Sequence, residues 1–208
     1  MIRVTRDLPH PVFARAFALL MRAGAGLLEQ YRRELVEGLA GRVVEVGAGS
    51  GASFPYYPPG VNEVVAVEPE PYLRRLAEQA AGAAPVPVRV MPGLAEELPL
   101  ADGSFDAAVV SLVLCSVGDP DRALAEIRRV LRPGGELRFW EHVIAPDGRR
   151  LASLQRALDR VWPRLAGGCH ASRDTVAAIE RAGFAIERCR RFDIGRSPTA
   201  PHVLGAAR

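Results

Sequence analysis

The sequence has 208 residues, of which 49% are hydrophobic and 25% are charged, and this composition suits one globular domain with a sizeable core. The net charge is only +3, and the basic residues are all arginines spread along the chain, which disfavours a nucleic-acid surface. No apolar run reaches the roughly 18 residues that span a bilayer, and the charged first thirty residues do not resemble a secretory signal. We therefore expect a cytoplasmic protein without stable membrane insertion.

The chain opens with helical periodicity over residues 12–39, where Gly24 and Gly26 interrupt the pattern and predict one or two helices. Short β-branched runs then alternate with helices. The predicted strands cover 42–46, 64–67, 86–90, 105–111 and 137–140. Helices are predicted over 71–81 and 120–131, and the second begins with Asp119 as an N-cap and Pro120 as its first residue.

The last third of the chain predicts a helix over 149–165, a second helix capped by Ser172, and two edge strands at 186–192 and 203–207. Strands that alternate with helices predict an α/β, Rossmann-like fold with a mostly parallel sheet covered on both faces. Because no repeat or linker interrupts the chain, we expect a single domain over 1–208, with an N-terminal helical lid (1–40) and a core (41–208).

A glycine-rich loop follows the first predicted strand, with the sequence Glu45-Val46-Gly47-Ala48-Gly49-Ser50-Gly51. In open parallel sheets a nucleotide binds beyond the carboxyl ends of the strands, where this loop would lie. Seventeen residues after Gly51, the second predicted strand ends in Glu68. A carboxylate at that position can accept hydrogen bonds from both hydroxyls of a ribose.

Two cofactor classes fit this loop. Gly47, Gly49 and Ala52 satisfy the dinucleotide fingerprint, so a nicotinamide-dependent oxidoreductase is one alternative. S-adenosylmethionine is favoured because Glu45 would pair with an amino-acid ammonium but would gain nothing from a pyrophosphate. The prolines after the loop also break the helix that a pyrophosphate site requires, and a tight turn over 93–99 would flank an adenine.

Several segments together resemble the class I methyltransferases: E-V-G-A-G-S-G, V-E-P-E, A-E-E-L-P-L-A-D-G-S-F-D and R-V-L-R-P-G-G, which lie between residues 43 and 141. The resemblance implies a seven-stranded sheet with an antiparallel last strand pair. It also implies cofactor contacts, with ribose at Glu68 and adenine near Leu94, where many relatives carry an aspartate and where this chain offers only backbone groups or Glu96. The full set of predicted cofactor residues is Glu45, Gly47, Ala48, Gly49, Gly51, Phe54, Glu68, Pro69, Leu94, Ala95, Glu96, Ser111 and Leu112.

A further resemblance spans nearly the whole chain and concerns the methyltransferase-like alkyl thiol S-methyltransferases. It is carried by F-P-Y-Y-P-P-G, L-V-L-C-S-V, E-H-V, G-C-H with R-D-T, and P-H-V. The resemblance implies methyl transfer to sulfur. Those relatives add a membrane-anchoring N-terminus, which we expect this protein not to share, so a soluble bacterial-type relative is expected.

Candidate chemical groups follow the fifth predicted strand. His142 is the candidate catalytic base, with a structural role as the alternative, and Cys169 and His170 lie in a loop that could face the same rim. Because Cys115, Cys169 and Cys189 show no regular ligand spacing, we expect free thiols, with Cys115 and Cys189 buried, and no metal.

The sequence thus predicts an enzyme, a monomer or homodimer, that transfers a methyl group from S-adenosylmethionine to a small, apolar acceptor. A thiol is the favoured acceptor. The alternatives are carbon, oxygen or nitrogen methylation of a quinone, lipid or secondary metabolite, and a binding domain without activity. Phe13 and Phe17 on the first helix are candidates for a lid that excludes water.

Overall fold

The computed structural model describes residues 11–146 and 150–208. They form a seven-stranded sheet in the order β3-β2-β1-β4-β5-β7-β6. The pairs among β1 to β5 are parallel, and β7 runs antiparallel to both β5 and β6. The strands are β1 (Gly41–Val46), β2 (Val61–Val67), β3 (Val88–Met91), β4 (Phe105–Ser111), β5 (Leu131–His142), β6 (Ile186–Asp193) and β7 (Pro201–Ala207).

Helices cover both faces of the sheet, and the predicted α/β, Rossmann-like class with its antiparallel last strand pair is confirmed. The helices are α1 (Pro11–Ala23), α2 (Ala25–Val36), α3 (Pro71–Ala81), α4 (Pro120–Val130), α5 (Arg150–Leu158), α6 (Trp162–Leu165) and α7 (Thr175–Arg181). A 3-10 turn, Phe54–Tyr56, follows the glycine loop. Two buried clusters hold the layers together, one centred on Ile127 and Phe139 and the other on Val64 and Trp140.

Valine runs explain the central strands. The last four residues of β1 and of β2 are fully buried, since helices cover both sides of a parallel sheet and leave no solvent face. Helix α4 begins as predicted, because the Asp119 side chain accepts a hydrogen bond from Arg122 N and Pro120 occupies the first turn.

Three predictions for the later elements were wrong. The predicted helix over 149–165 is two helices, α5 and α6, and residues 147–149 lie outside the described part. Asp174, not Ser172, caps α7 by accepting from Ala177 N, while the Ser172 hydroxyl donates to Asp159. Strand β7 is not an edge strand, since it lies between β5 and β6 and all seven of its residues are buried.

The prediction that Cys189 is buried was also wrong. This cysteine is exposed, because β6 is the edge of the sheet and most of its residues face solvent. Cys115 is buried as predicted.

The N-terminal helices bend sharply. Gly24 ends α1, and α2 departs from it at 88°. No single helix in the described ranges is long and apolar enough to cross a membrane, although α1 and α2 taken together meet the length and composition needed. Residues 1–10 of the predicted lid lie outside the described part.

Candidate active site

A cavity of about 300 Å³ opens at the carboxyl ends of β1, β2 and β4. This is where an open α/β sheet places its ligands, because the loops that follow neighbouring strands separate there. Four segments form its walls: the glycine loop after β1, residues 68–70 after β2, residues 93–96 after β3 and residues 111–118 after β4. Helix α1 and the Gly167-Gly168 pair close the remaining side.

The glycine loop approaches the cavity with its backbone. Gly47 has a φ of +68°, and a Cβ there would come within 2.5 Å of the Val113 side chain, so only glycine fits. Gly49, at φ +57°, meets nothing closer than the Phe17 ring at 4.0 Å, so its backbone faces open space in the cavity. Gly51 points away, and a Cβ there would strike the ring of Phe54.

Glu68 ends β2 with its carboxylate at the cavity. Its Oε2 accepts a hydrogen bond from Gly49 N at 2.7 Å, and its Oε1 accepts from Glu70 N at 2.9 Å. Burial raises the pKa of Glu68, and these two hydrogen bonds oppose that rise. Each oxygen keeps a lone pair, so the carboxylate can still accept from a ligand in the cavity.

Glu45 is the second carboxylate of the wall. Burial raises its pKa to about 7, although Tyr57 donates to its Oε2 at 2.8 Å and the Arg32 guanidinium lies near it. Arg32 is itself buried at 4% exposure and lines the cavity. A buried carboxylate that faces a cavity is stabilised in its charged form when a cation enters.

The segment after β3 forms a tight turn, as predicted. Leu94 and Glu97 form an isolated bridge, and Gly93 packs so closely on Val67 that a Cβ would lie 2.6 Å away. Glu96 does more than line the cavity, because its Oε1 accepts from Gly118 N at 2.9 Å. Its carboxylate therefore joins the segment after β3 to the segment after β4.

The segment after β4 is held by two charged side chains from other elements. The Glu141 carboxylate accepts hydrogen bonds from the backbone N–H groups of Val113, Leu114 and Cys115 at 2.9, 3.0 and 3.2 Å. The Arg173 guanidinium donates to two carbonyl oxygens of the same segment, at 2.8 and 2.7 Å. Leu112 adopts a positive φ of 59° at its start. The wall is therefore fixed in a strained but fully bonded conformation.

Helix α1 supplies the apolar wall. Phe13, Phe17 and Met21 line the cavity at helical spacing, and the Phe13 ring packs against Gly167, where a Cβ would lie 2.3 Å from the ring. Only Ala14 of this helix is buried. The aromatic side chains thus face the cavity and not the core.

The structure brings most of the predicted cofactor residues together. All of them line the cavity except Gly51 and Phe54, which pack on each other beneath the loop. His142 does not line the cavity either. It is buried, and its Nε2 lies 2.8 Å from the Cys169 sulfur.

Sequence reasoning missed three contributors: Arg32, Glu70 and Glu141. Arg32 lies in a helix whose one other arginine, Arg33, is exposed, and nothing in its spacing distinguishes it. Glu70 lines the cavity and caps α3, where it accepts from Leu73 N at 2.7 Å, and a glutamate followed by proline could have indicated this. Glu141 accepts hydrogen bonds from backbone groups that lie 26 to 28 residues earlier in the chain, so its role could not be predicted from neighbouring residues.

Behind the cavity wall lies a cluster of three side chains: Cys115, His142 and Cys169. Their ligand atoms all lie within 4.8 Å of one another. Hydrogen bonds from Cys115, His142 and the Trp162 indole N–H lower the pKa of the Cys169 thiol, whereas its hydrogen bond to Cys169 and its burial raise the pKa of Cys115.

Comparison with known proteins agrees with this architecture. Residues 44–139 match the methyltransferase domain family. The chain is 36% identical over 210 residues to human thiol S-methyltransferase TMT1B, covering 94% of this chain and 85% of the relative. It is 34% identical over 154 residues to phosphatidylethanolamine N-methyltransferase of Cereibacter sphaeroides, covering 74% and 69% of the two chains.

Among solved structures, a SAM-dependent methyltransferase from Thermotoga maritima, described as a possible histamine N-methyltransferase, superposes with a TM-score of 0.67. The alignment is 24% identical in sequence and covers 94% of this chain and 97% of that chain. At this identity the similarity is evidence for the fold alone. The human relative, at 36% identity, matches 94% of this chain. The chain belongs to the class I S-adenosylmethionine-dependent methyltransferases.

Proposed function

We propose that this methyltransferase transfers its methyl group to the sulfur of a small, apolar thiol. The observation that carries the proposal is the composition of the cavity wall. Aromatic and aliphatic side chains of α1 and residues 167–168 line one side of the cavity, and we assign that side to the acceptor. No histidine is among the described residues that line the cavity. The glutamates that do line it are engaged in hydrogen bonds: Glu45 accepts from Tyr57, Glu68 and Glu70 accept from backbone N–H groups, and Glu96 accepts from Gly118 N.

The wall fits S-adenosylmethionine. The carboxylate of Glu68 offers lone pairs to the ribose hydroxyls, Gly49 leaves space for the adenosyl group, and Glu45 offers a negative charge to the ammonium of the methionyl portion. Bound there, the cofactor supplies an electrophilic methyl group on a sulfonium. The residues of the chain orient the two reactants and exclude water, which can lower the barrier by several kcal/mol.

The acceptor class follows from acidity. A thiol has a pKa near ~8.5 and is partly ionised at neutral pH, so it reacts without a strong base. A phenol at about 10, or an alcohol, depends on a positioned base far more strongly. A wall of apolar side chains and glycine backbone therefore suits a thiol best. The human relative is named a thiol S-methyltransferase, which supports the same assignment.

An acceptor panel tests the proposal. Purified protein is assayed with an alkyl thiol and with the alcohol and amine of the same carbon skeleton, and formation of S-adenosylhomocysteine is measured. We expect kcat/KM for the thiol to exceed that for the alcohol and the amine by about 100-fold or more, the factor that corresponds to about 2.7 kcal/mol. Faster turnover of the amine, or of a quinone added to the panel, would overturn the thiol assignment while leaving methyl transfer intact.

The raised pKa of Glu45 predicts how cofactor affinity depends on pH. Below about pH 7, Glu45 is protonated and neutral in the protein without ligand. Binding of an ammonium group then requires Glu45 to lose its proton, and the free energy of that ionisation lowers the affinity. We expect affinity for S-adenosylhomocysteine to fall about tenfold per pH unit well below 7, and to level off above 7. Calorimetry from pH 5.5 to 8 checks this, and the matched variant Glu45→Gln should bind weakly with no such slope. A wild-type affinity that does not change over this range would remove Glu45 from the ammonium site.

A further inference from the structure

The three side chains behind the cavity wall come from distant parts of the chain. Cys115 follows β4, His142 ends β5, and Cys169 lies in the loop between α6 and α7. Their ligand atoms converge within 4.8 Å, and the His142 Nε2 and the Cys169 sulfur are 2.8 Å apart. From this convergence we infer that Cys115, His142 and Cys169 bind one thiophilic metal ion of the Zn²⁺ class. The inference does not depend on which acceptor the enzyme methylates.

The backbone that carries these ligands is already fixed. The Glu141 carboxylate accepts from Cys115 N, and the Arg173 guanidinium binds the carbonyl oxygens of Leu114 and Val117. The loop with Cys169 is joined to the same segment, because His170 N donates to Cys115 O at 2.8 Å. Little conformational entropy remains to be lost when the ligands close on an ion.

The donor set selects the class of ion. Two thiolates and one imidazole are soft or borderline ligands, which bind Zn²⁺ or Cu⁺ and not Mg²⁺ or Ca²⁺. When the ion binds, the cysteines release their thiol protons to solvent, and the two resulting thiolates cancel the charge of Zn²⁺. The three ligands and the ion then carry no net charge in a largely buried place. Three protein ligands leave the fourth position of a tetrahedral ion to water or another small ligand.

The geometry needs a small adjustment. Bond lengths of about 2.3 Å to sulfur and 2.0 Å to nitrogen separate the two ligand atoms by roughly 3.5 Å in a tetrahedral site. The His142 ring must therefore withdraw from Cys169 by less than about 1 Å. Its Nδ1 is buried without a hydrogen-bond partner among the described residues, so this shift breaks no other bond of the ring.

The surroundings supply support and access. The Trp162 indole N–H lies 3.3 Å from the Cys169 sulfur and donates to it, and a hydrogen bond of this kind orients a metal-bound thiolate. Cys169 is partly exposed while Cys115 and His142 are buried, which gives an ion a route from solvent. Ser116 and Gly168, the residues that follow Cys115 and precede Cys169, line the cofactor cavity. Two of the proposed ligands, Cys115 and Cys169, are therefore adjacent in sequence to residues that line the cavity.

Metal binding by the full chain tests the inference without an activity assay. Protein is reduced, stripped with a chelator, and titrated with Zn²⁺ against a chromophoric competitor. Bound zinc is then counted by elemental analysis, and Co²⁺ serves as a spectroscopic probe. We expect one tightly held Zn²⁺ per chain and a thiolate-to-cobalt charge-transfer band in the near ultraviolet. Cys189→Ser is the matched control, because this cysteine is exposed on β6 and outside the cluster.

The cluster variants should behave differently from that control. Cys115→Ser, Cys169→Ser and His142→Gln should each weaken Zn²⁺ binding by 100-fold or more and abolish the charge-transfer band. Since Cys169 is partly exposed, its variant should fold even where the two buried positions fail to, and circular dichroism checks this. Absence of stoichiometric zinc in the reduced wild type, or zinc binding that Cys169→Ser leaves unchanged, would overturn the inference.

Discussion

Glu68→Ala is expected to weaken S-adenosylhomocysteine binding by about 100-fold or more while the protein stays folded. The two ribose hydroxyls would each lose a hydrogen bond to a charged acceptor, worth roughly 1.5 to 3 kcal/mol, and about 3 kcal/mol corresponds to a factor of more than 100 in Kd. The loss to the fold is smaller, because Gly49 and Glu70 both line the cavity and their freed N–H groups can bind water there. Calorimetry and a thermal melt measure the two effects separately.

A ligand change distinguishes lost ribose contacts from a disturbed glycine loop. Wild-type protein should bind the 2′-deoxy analogue more weakly than S-adenosylhomocysteine, whereas Glu68→Ala should bind the two equally. Glu68→Gln keeps one acceptor oxygen and should fall between wild type and Glu68→Ala. If Glu68→Ala still discriminates against the deoxy analogue, the ribose assignment of this carboxylate is wrong.

Glu141→Ala is expected to be the most destabilising of the substitutions considered, at about 3 to 5 kcal/mol. Its carboxylate is fully buried and accepts from three backbone N–H groups, and an orphaned buried donor costs about 1 to 3 kcal/mol. For a chain of this size, that loss lowers Tm by roughly 10 °C. Urea unfolding with a constant m-value checks the free energy.

An exposed carboxylate serves as the control for Glu141. Glu187 pairs with Arg208 at the protein surface, where ion pairs contribute about 1 kcal/mol at most, so Glu187→Ala should change Tm by no more than about 3 °C. Equal Tm values for Glu141→Ala and wild type would mean that the segment after β4 does not depend on this carboxylate.

Much of the sheet could be predicted because its signals are local. β4 and α3 begin and end where the strand and helix patterns predict, and Asp119 caps α4 by accepting a hydrogen bond from Arg122 N, only three residues further along the chain. Glu45 and Glu68 could be placed at one cavity because both lie at the carboxyl ends of parallel strands. The position of β7 between β5 and β6 could not be predicted from the sequence of β7, because strand order depends on pairing with strands that are distant in the chain.

The missed parts of the site depend on contacts that are remote in sequence. Arg32 is buried only because α2 packs over β5 and the cavity, and the sequence of that helix does not distinguish it from the exposed Arg33 beside it. Cys115, His142 and Cys169 form no metal-binding spacing motif in the sequence, because they come from three separate segments that only the fold brings together. Spacing motifs identify metal sites built on one hairpin or helix, and they do not identify a site of this kind.

Residues 111–118 and helix α1, which form two sides of the cavity, differ in how many intramolecular contacts a substitution would disturb. The wall of residues 111–118 is tied by Glu141, Arg173 and Glu96, so a substitution there disturbs a bonded network within the protein. Helix α1 buries only Ala14, and its Phe13 and Phe17 line the cavity, whereas Met21 lines the cavity and also packs against the buried core. We therefore expect substitutions at Phe13 and Phe17 to change the range of acceptors that the enzyme methylates while leaving the fold intact.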